Sequence, residues 1–401
     1  MLTTVLIGFI FIGLVGGEVL RMQFSNIAVT LLDIAVFLTV LVFYGQFIFR
    51  HRWPAPKYIT GPVLLFIATG VLSLAMAVGR YSLPDLGTSS LYLVRWFMYA
   101  SLLFVSLDFS TGNIRLLRFF MLIAGVLLVV VGYLQYIFYP ALRNLYYLGW
   151  DEHLNRLFST FLDPNFMGAF LVLFGFFLLF TLSGCKKYLC LRNGFLVLGL
   201  LGTFGAIVLT FSRSALLMLL VMAVCYLLLT QRKRYILAIL AAGVILVLAL
   251  LPFSHSENTN LFRIASSEAR LTSASTAVEV FLRNPVLGVG FDAYRYAQLQ
   301  YGYISLSSPF PSHSGAGTDN SFLFVLATTG VVGAAAFVFM IYRLLKSAWV
   351  TYRKKHSRIA LLFVLSLIGV LFDSLFINSL FYPPIMLWLF TLGGLMNRES
   401  L

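Results

Sequence analysis

Three arginines and one aspartate stand where an otherwise apolar chain turns polar, and their chemistry suits an anion. Arg213 lies in Phe211-Ser212-Arg213-Ser214, a tight break between two apolar runs, while Arg156 precedes STFLDPN at 159–165 and Arg270 opens an amphipathic stretch. A guanidinium at a membrane boundary is costly unless it snorkels, is paired or faces a functional cavity. Three forked donors on one face would suit a diphosphate, because bidentate guanidinium geometry matches phosphate oxygens. Each also has a plainer reading: a snorkelling turn residue for Arg213, a solvated surface charge for Arg270 and Arg156.

Asp319 and Asn320 begin another apolar run, and Asp there is also the residue type that caps a helix N-terminus. Capping and catalysis are compatible. A carboxylate at this boundary can accept a proton from a sugar hydroxyl, although nearby arginines would lower its pKa and weaken it as a base. His313 is an alternative base in the same segment, with a plain loop histidine as the simpler reading. Tyr294 and Tyr301 share a helical face with Phe291 and Gln298, and such rings either stack on sugars or anchor at the membrane interface. GVG at 288–290 follows Asn-Pro rather than a strand and lacks a third glycine, so it is not read as a dinucleotide loop. No D-x-D pair, H-E-x-x-H or Cys/His cluster asks for a metal, and no motif implies a cofactor.

The elements that must position these residues follow from composition. The chain has 401 residues, 60% of them hydrophobic and only 10% charged, with a mean hydropathy of +0.95. That excludes a soluble globule with a polar surface and implies an all-α polytopic membrane protein. Apolar runs of membrane-crossing length are read at 3–20, 26–49, 59–79, 90–109, 116–139, 161–183, 193–211, 214–230, 235–252, 320–342, 359–378 and 380–396, which predicts about twelve transmembrane helices. Charge asymmetry supports two crossings within 195–230. With Arg50, Arg52 and Lys57 cytoplasmic, Arg115/Arg118, Lys186/Lys187/Arg192, Arg232/Lys233/Arg234 and the basic run from Arg343 to Arg358 fall on the same side only in that case. Both termini are then cytoplasmic, and the polar segment 253–319, between helices nine and ten, lies outside.

That segment is too long for an ordinary helix connection. Within it Ala274, Ala277, Val278, Phe281 and Leu282 have the spacing of an amphipathic helix over 270–283, stopped by Asn284-Pro285, and Ser305–Gly317 reads as a loop. No fixed-period repeat or linker divides the chain, so 1–401 is read as a single membrane domain. The net charge of +14 lies mostly in the cytoplasmic loops, where it serves topology and anionic lipid headgroups rather than nucleic acid. Cys185, Cys190 and Cys225 suggest no disulfide framework. The first apolar run lacks a basic flank and an A-x-A-like cleavage site, and reads as a retained helix.

At these residues the chain resembles the O-antigen ligase and polymerase superfamily of bacterial membrane glycosyltransferases. The resemblance is carried by RLFSTFLDPNFMGAF at 156–170, TFSRSALL at 210–217, EARLTSASTAVEVFLRNPVLGVGFDAY at 268–294 and DNSFLFVLATTGVVGAAAF at 319–337, in the family's order. It covers roughly residues 156–345; the first five helices match only in being apolar. It implies a metal-independent, inverting transfer on the outer side of the inner membrane, from a glycan on undecaprenyl diphosphate to a sugar hydroxyl of an acceptor glycan. By motif, Arg213 and Arg270 would bind the diphosphate and stabilise its charge as it leaves, with Arg156 assisting. Asp319-Asn320 stands where ligases and many polymerases carry a His-Asn pair.

The missing imidazole argues for a polymerase over a ligase that transfers glycan to lipid A–core. Asp319 would then orient or deprotonate the acceptor hydroxyl, Asn320, Tyr294 and Tyr301 would contact substrate, and a chain-length regulator protein would be a further partner. A flippase or secondary transporter is the alternative of another class. Transporters usually show pseudo-symmetric halves with midplane sites, whereas here the charged residues gather at one face. Peptidoglycan polymerases share a similar helical design, but the motifs point elsewhere.

Overall fold

The computed structural model describes residues 2–24, 27–50, 57–183, 191–250, 259–260, 264–304 and 317–400. Arg52, Cys185, Lys186, Lys187, Cys190, Arg263 and His313 lie outside the described residues. A helix forms in each of the twelve apolar runs. In chain order the elements are α1 (Leu2–Gly16), β1 (Arg21–Phe24), β2 (Ile27–Thr30), α2 (Leu31–Arg50), α3 (Lys57–Met76), α4 (Leu83–Leu107), α5 (Thr111–Phe138) and α6 (Pro164–Ser183). There follow α7 (Leu191–Leu209), α8 (Arg213–Leu229), α9 (Ile236–Leu250), α10 (Ala265–Arg283), α11 (Tyr294–Gln300), α12 (Ser321–Lys355), α13 (Arg358–Asp373) and α14 (Pro383–Ser400). Six of these, α2 to α6 and α12, are long and apolar enough to cross a membrane on their own, and α1, α7 and α8 contain shorter apolar stretches. The chain is a multi-pass helical membrane protein.

Several boundaries differ from the sequence reading: α4 and α5 start earlier, at Leu83 and Thr111, and α12 runs on to Lys355. The run read as helix from residue 26 begins instead with an antiparallel hairpin pairing Arg21 with Thr30 and Phe24 with Ile27. Helix α2 starts only at Leu31, because Thr30 and Asp33 form a reciprocal cap: the Thr30 N–H donates to the Asp33 carboxylate at 2.8 Å and the Asp33 N–H donates to the Thr30 hydroxyl at 3.2 Å. The fold is therefore helical with one small two-stranded sheet. The run read to residue 378 stops at Asp373, whose carboxylate accepts from the Ser379 hydroxyl; a turn through Ser379–Phe381 then leads to Pro383, a residue suited to open α14. The expected amphipathic helix at 270–283 starts earlier, at Ala265.

Residues from Ile7 to Met396 join one buried apolar cluster, in which α4 packs against α14, α3 against α12 and α8 against α13. The polar segment docks on this bundle through α12. That helix is interrupted at Gly330, whose φ of 64° and ψ of −168° break the helical ladder. The carbonyls of Ala327 and Thr328 accept instead from the N–H groups of Val289 and Gly290, at 3.0 and 3.1 Å, and Val331 N–H donates to Pro285 at 2.9 Å. A Cβ on Gly288 would sit 2.3 Å from the Thr328 carbonyl carbon, and one on Gly330 would sit 2.2 Å from the Val286 oxygen. Gly288, in the 284–290 run, and Gly330 thus permit a backbone-to-backbone lock, a role unrelated to nucleotide binding.

Candidate active site

A polar cavity of about 700 Å³ opens where the ends of several helices meet. Its walls come from distant parts of the chain: the turn after α1, the 149–165 segment leading into α6, the first turns of α10, residues 317–319 before α12, and the turn between α13 and α14. The N-terminal ends of α6, α12 and α14 border it, so their dipoles favour negative charge there. The basic run Arg353–Lys355 closes α12 at its opposite end.

Arg156, Arg270 and Asp319 all line this cavity. Arg156 is buried, and its place is fixed by the local sequence. Its Nε donates to the Thr210 carbonyl at 2.8 Å and an Nη to the Asn165 side-chain oxygen at 3.0 Å. Asn165 in turn accepts from the Ser212 hydroxyl at 3.1 Å, while Asp163 caps α6 by accepting from the Asn165 N–H at 2.7 Å. The LDPN and FSRS motifs are thereby one connected unit: Asp163 caps, Pro164 opens the helix, and Asn165 ties Arg156 to the α7–α8 turn. Arg270, on α10, makes no hydrogen bond or ion pair of 4 Å or less among the described residues, which leaves its fork available to a ligand.

Arg213 does not line the cavity. It donates to the hydroxyls of Ser267 and Ser266 at 3.1 and 3.3 Å, and Ser266 is part of the wall, so Arg213 sits directly behind the start of α10. Asn320 is engaged structurally. Its side-chain oxygen caps α12 by accepting from Phe322 and Leu323 N–H at 2.9 and 3.0 Å, and its amide donates to the Leu375 carbonyl at 3.0 Å. The α12 cap is therefore Asn320, not Asp319, and Asp319 is left to face the cavity while its N–H donates to Ser273 at 3.2 Å. Burial holds the Asp319 carboxyl above its ordinary range; the Arg270 cation pulls it down and Asp163 pushes it up. Burial outweighs the expected effect of nearby arginines, which suits a base better.

Tyr294 and Tyr301 are placed elsewhere. Tyr294 is 1% exposed and belongs to a small core with Ala277, Val280, Val289, Ala297, Phe324 and Ala327. Tyr301 accepts from the Asn284 amide at 2.9 Å and lies under the Arg283 guanidinium at 4.5 Å. The polar segment needs a core of its own, and its tyrosines supply one. Neither lines the cavity.

Several wall residues escaped the sequence reading. Asp151 lines the cavity from the 149–153 loop; the walls desolvate it, and Asp163 and Asp319 add like charge, so its carboxyl also stands above the ordinary range despite Arg156. Tyr382 stacks on Phe166 with ring centres 4.1 Å apart, and both lie in the wall. The Tyr382 hydroxyl, the Thr318 hydroxyl and the Asn378 side-chain oxygen meet no hydrogen-bond partner among the described residues, so this wall holds polar atoms that the protein does not satisfy. The signal for the 373–382 turn was present in the sequence: Asp373, Ser374, Asn378 and Ser379 gather within an otherwise apolar stretch.

No curated protein matches the chain. Residues 196–338, about a third of the chain, match the family model described as O-Antigen ligase. The matched segment contains Arg213, Arg270 and Asp319, and Arg156 lies before it. Three of the four motifs, at 210–217, 268–294 and 319–337, fall within the match, which supports the resemblance to the O-antigen ligase and polymerase superfamily over 196–338.

Proposed function

We propose that the protein is a membrane glycosyltransferase that polymerises undecaprenyl-diphosphate-linked repeat units into a surface polysaccharide on the outer side of the bacterial inner membrane. The observation that carries this reading is the convergence of Arg156, Arg270 and Asp319 on one polar cavity, whose volume falls in the range of ligand sites, roughly 300–1,000 Å³. In this reading 1–401 is one membrane domain with both termini cytoplasmic, and the 253–319 segment faces the periplasm.

Arg270, with Arg156, holds the diphosphate of the donor. Arg213 supports them by fixing Ser266 and Ser267 at the start of α10. Asp319 takes the proton of an acceptor hydroxyl on a second lipid-linked unit as its oxygen attacks the anomeric carbon from the face opposite the diphosphate. The new C–O bond forms, the bond to the diphosphate oxygen breaks, and the configuration inverts. The electron pair leaves on the lipid diphosphate, where the guanidinium groups meet the charge, so this route is metal-independent.

Asp319-Asn320 in place of His-Asn favours a polymerase over transfer to lipid A–core. The test uses purified protein in sealed vesicles with a synthetic undecaprenyl-diphosphate oligosaccharide and lipid A–core, and with neither nucleotide nor metal. Lengthened, lipid-linked glycan is expected. Transfer to lipid A–core without lengthening would make the protein a ligase, and translocation of the sugar lipid without either reaction would refute transfer altogether.

A further inference from the structure

A second concavity of about 430 Å³ lies between α2 and α4 under strand β2, and its lining is almost wholly apolar: Ile27, Ile34, Phe37, Leu91, Val94 and Met98. Phe37, Leu91 and Val94 are 44, 49 and 43% exposed, so the groove opens sideways, on the face that meets the bilayer. Its polar side is an ion pair. Arg95 grips Asp33 with two bonds of 2.8 and 2.7 Å, and the Tyr99 hydroxyl donates to the same carboxylate at 2.9 Å.

One short turn, Gly17–Leu20, separates this groove from the polar cavity. It packs on α2 and β2, which wall the groove, and on the Ser159–Phe161 turn, which borders the cavity. A Cβ on Gly17 would lie 2.5 Å from the Thr160 carbonyl oxygen, which shows how close that approach is. Glu18, within the turn, and Arg21, just after it, line the cavity, and Glu18 also feels the charges of Arg95 and Asp33 on the groove side. An apolar trough open to the side therefore adjoins the polar cavity at the wall formed by the turn after α1, whereas Arg270 enters that cavity from α10. An isoprenoid diphosphate has that shape: an apolar chain that must stay in the bilayer and a charged, glycosylated head that must leave it.

We propose that the α2–α4 groove holds the first isoprene units of the acceptor lipid, whose head group enters the cavity past Glu18 and Arg21. The inference rests on the polymerase reading, since two lipid-linked substrates must be held at once and the donor diphosphate occupies the Arg270 end. Ordinary phospholipid is the competing occupant, and competition separates the two.

The full-length protein in nanodiscs of phosphatidylethanolamine and phosphatidylglycerol is photocrosslinked with a benzophenone-bearing farnesyl diphosphate. Crosslinks are expected on both 27–37 and 91–98. Undecaprenyl diphosphate should compete them away, and excess phosphatidylglycerol should not. Val94→Trp and Leu91→Trp each fill the groove from its exposed side, so the core is untouched, and each should lower crosslinking at least about fivefold, a loss within reach of one misplaced large side chain. Equal competition by phosphatidylglycerol, or undiminished crosslinking in both tryptophan variants, would overturn the proposal. Crosslinking is scored apart from transfer: a protein that captures the isoprenoid in the groove yet lengthens no glycan refutes the polymerase reading and not the groove.

Discussion

Arg270 and Arg213 should fail in different ways when removed, and the difference measures which of them meets the diphosphate. Arg270 lines the cavity and makes no hydrogen bond or ion pair among the described residues, so Arg270→Ala forfeits nothing the fold uses, and stability should stay within about 0.5 kcal/mol of wild type. Its loss in the transition state is that of one preorganised charged donor, about 2.7–4 kcal/mol, or roughly 10²–10³ in rate. Arg270→Lys keeps the charge and loses the fork, so it should fall between, about tenfold down. Arg213→Ala removes two bonds, at 3.1 and 3.3 Å, that fasten Ser266 and Ser267. Bonds from a charged donor contribute about 1.5–3 kcal/mol at good geometry, and these are long, so a stability loss of about 2–3 kcal/mol in total is expected together with lost activity. The assay pairs elongation of a labelled undecaprenyl-diphosphate oligosaccharide in nanodiscs with thermal unfolding followed by size exclusion. Arg270→Ala that elongates within threefold of wild type, or Arg270→Ala that unfolds as readily as Arg213→Ala, would refute this division of roles.

A base works only when ionised, so with the Asp319 carboxyl raised above its ordinary 3.8 the elongation rate should fall on acidification with a midpoint above that value; Asp319→Asn should abolish this limb and lower the rate by about 10²–10⁴. Because the folded state binds that proton more tightly than the unfolded chain, stability falls as pH rises between 3.8 and the raised value, and Asp319→Asn should be at least as stable as wild type at pH 7 in a thermal melt. Asp319→His should restore part of the rate with its acid limb moved toward about 6.5. Gly288→Ala and Gly330→Ala each place a methyl within 2.3 Å of backbone at positive φ, so the yield of folded protein in membranes should drop sharply, read by fluorescence size exclusion of a tagged chain. Arg95→Ala strands Asp33 inside the bundle and should cost about 3–5 kcal/mol, with Arg95→Met combined with Asp33→Asn, which keeps an acceptor for Thr30 and Tyr99, recovering part of it in thermal unfolding.

Helix positions were legible because a membrane demands length and apolarity, and those survive in any single sequence. Ends were less legible, because they depend on which of several competent residues wins. Asp319 and Asn320 are both good N-caps; Asn320 takes the role since its amide can also reach the Leu375 carbonyl, and this is a contact between α12 and the turn after α13 that no local pattern encodes. Likewise Thr30 and Asp33 cap each other with Asp where Glu or Gln is the usual partner, so the start of α2 was hidden within an apolar run.

The same contrast governs the cavity. Arg156, Arg270 and Asp319 stood out because a charge in a chain that is 10% charged needs a reason, and a shared cavity supplies one. The tyrosines stood out equally, yet aromatic residues serve a core and a sugar platform alike, and only the fold shows Tyr294 in one core cluster with Phe324 and Ala327. The neutral wall of Thr318, Asn378 and Tyr382 carried no charge and gave only a weak signal, the polar residues gathered at 373–379, although it borders Asp319, the proposed base. In a site proposed to take a sugar on a phosphate, charge marks the phosphate and is silent about the sugar. The arginine end of the cavity was therefore readable in one dimension, and the sugar end becomes readable only where α12 meets the turn between α13 and α14.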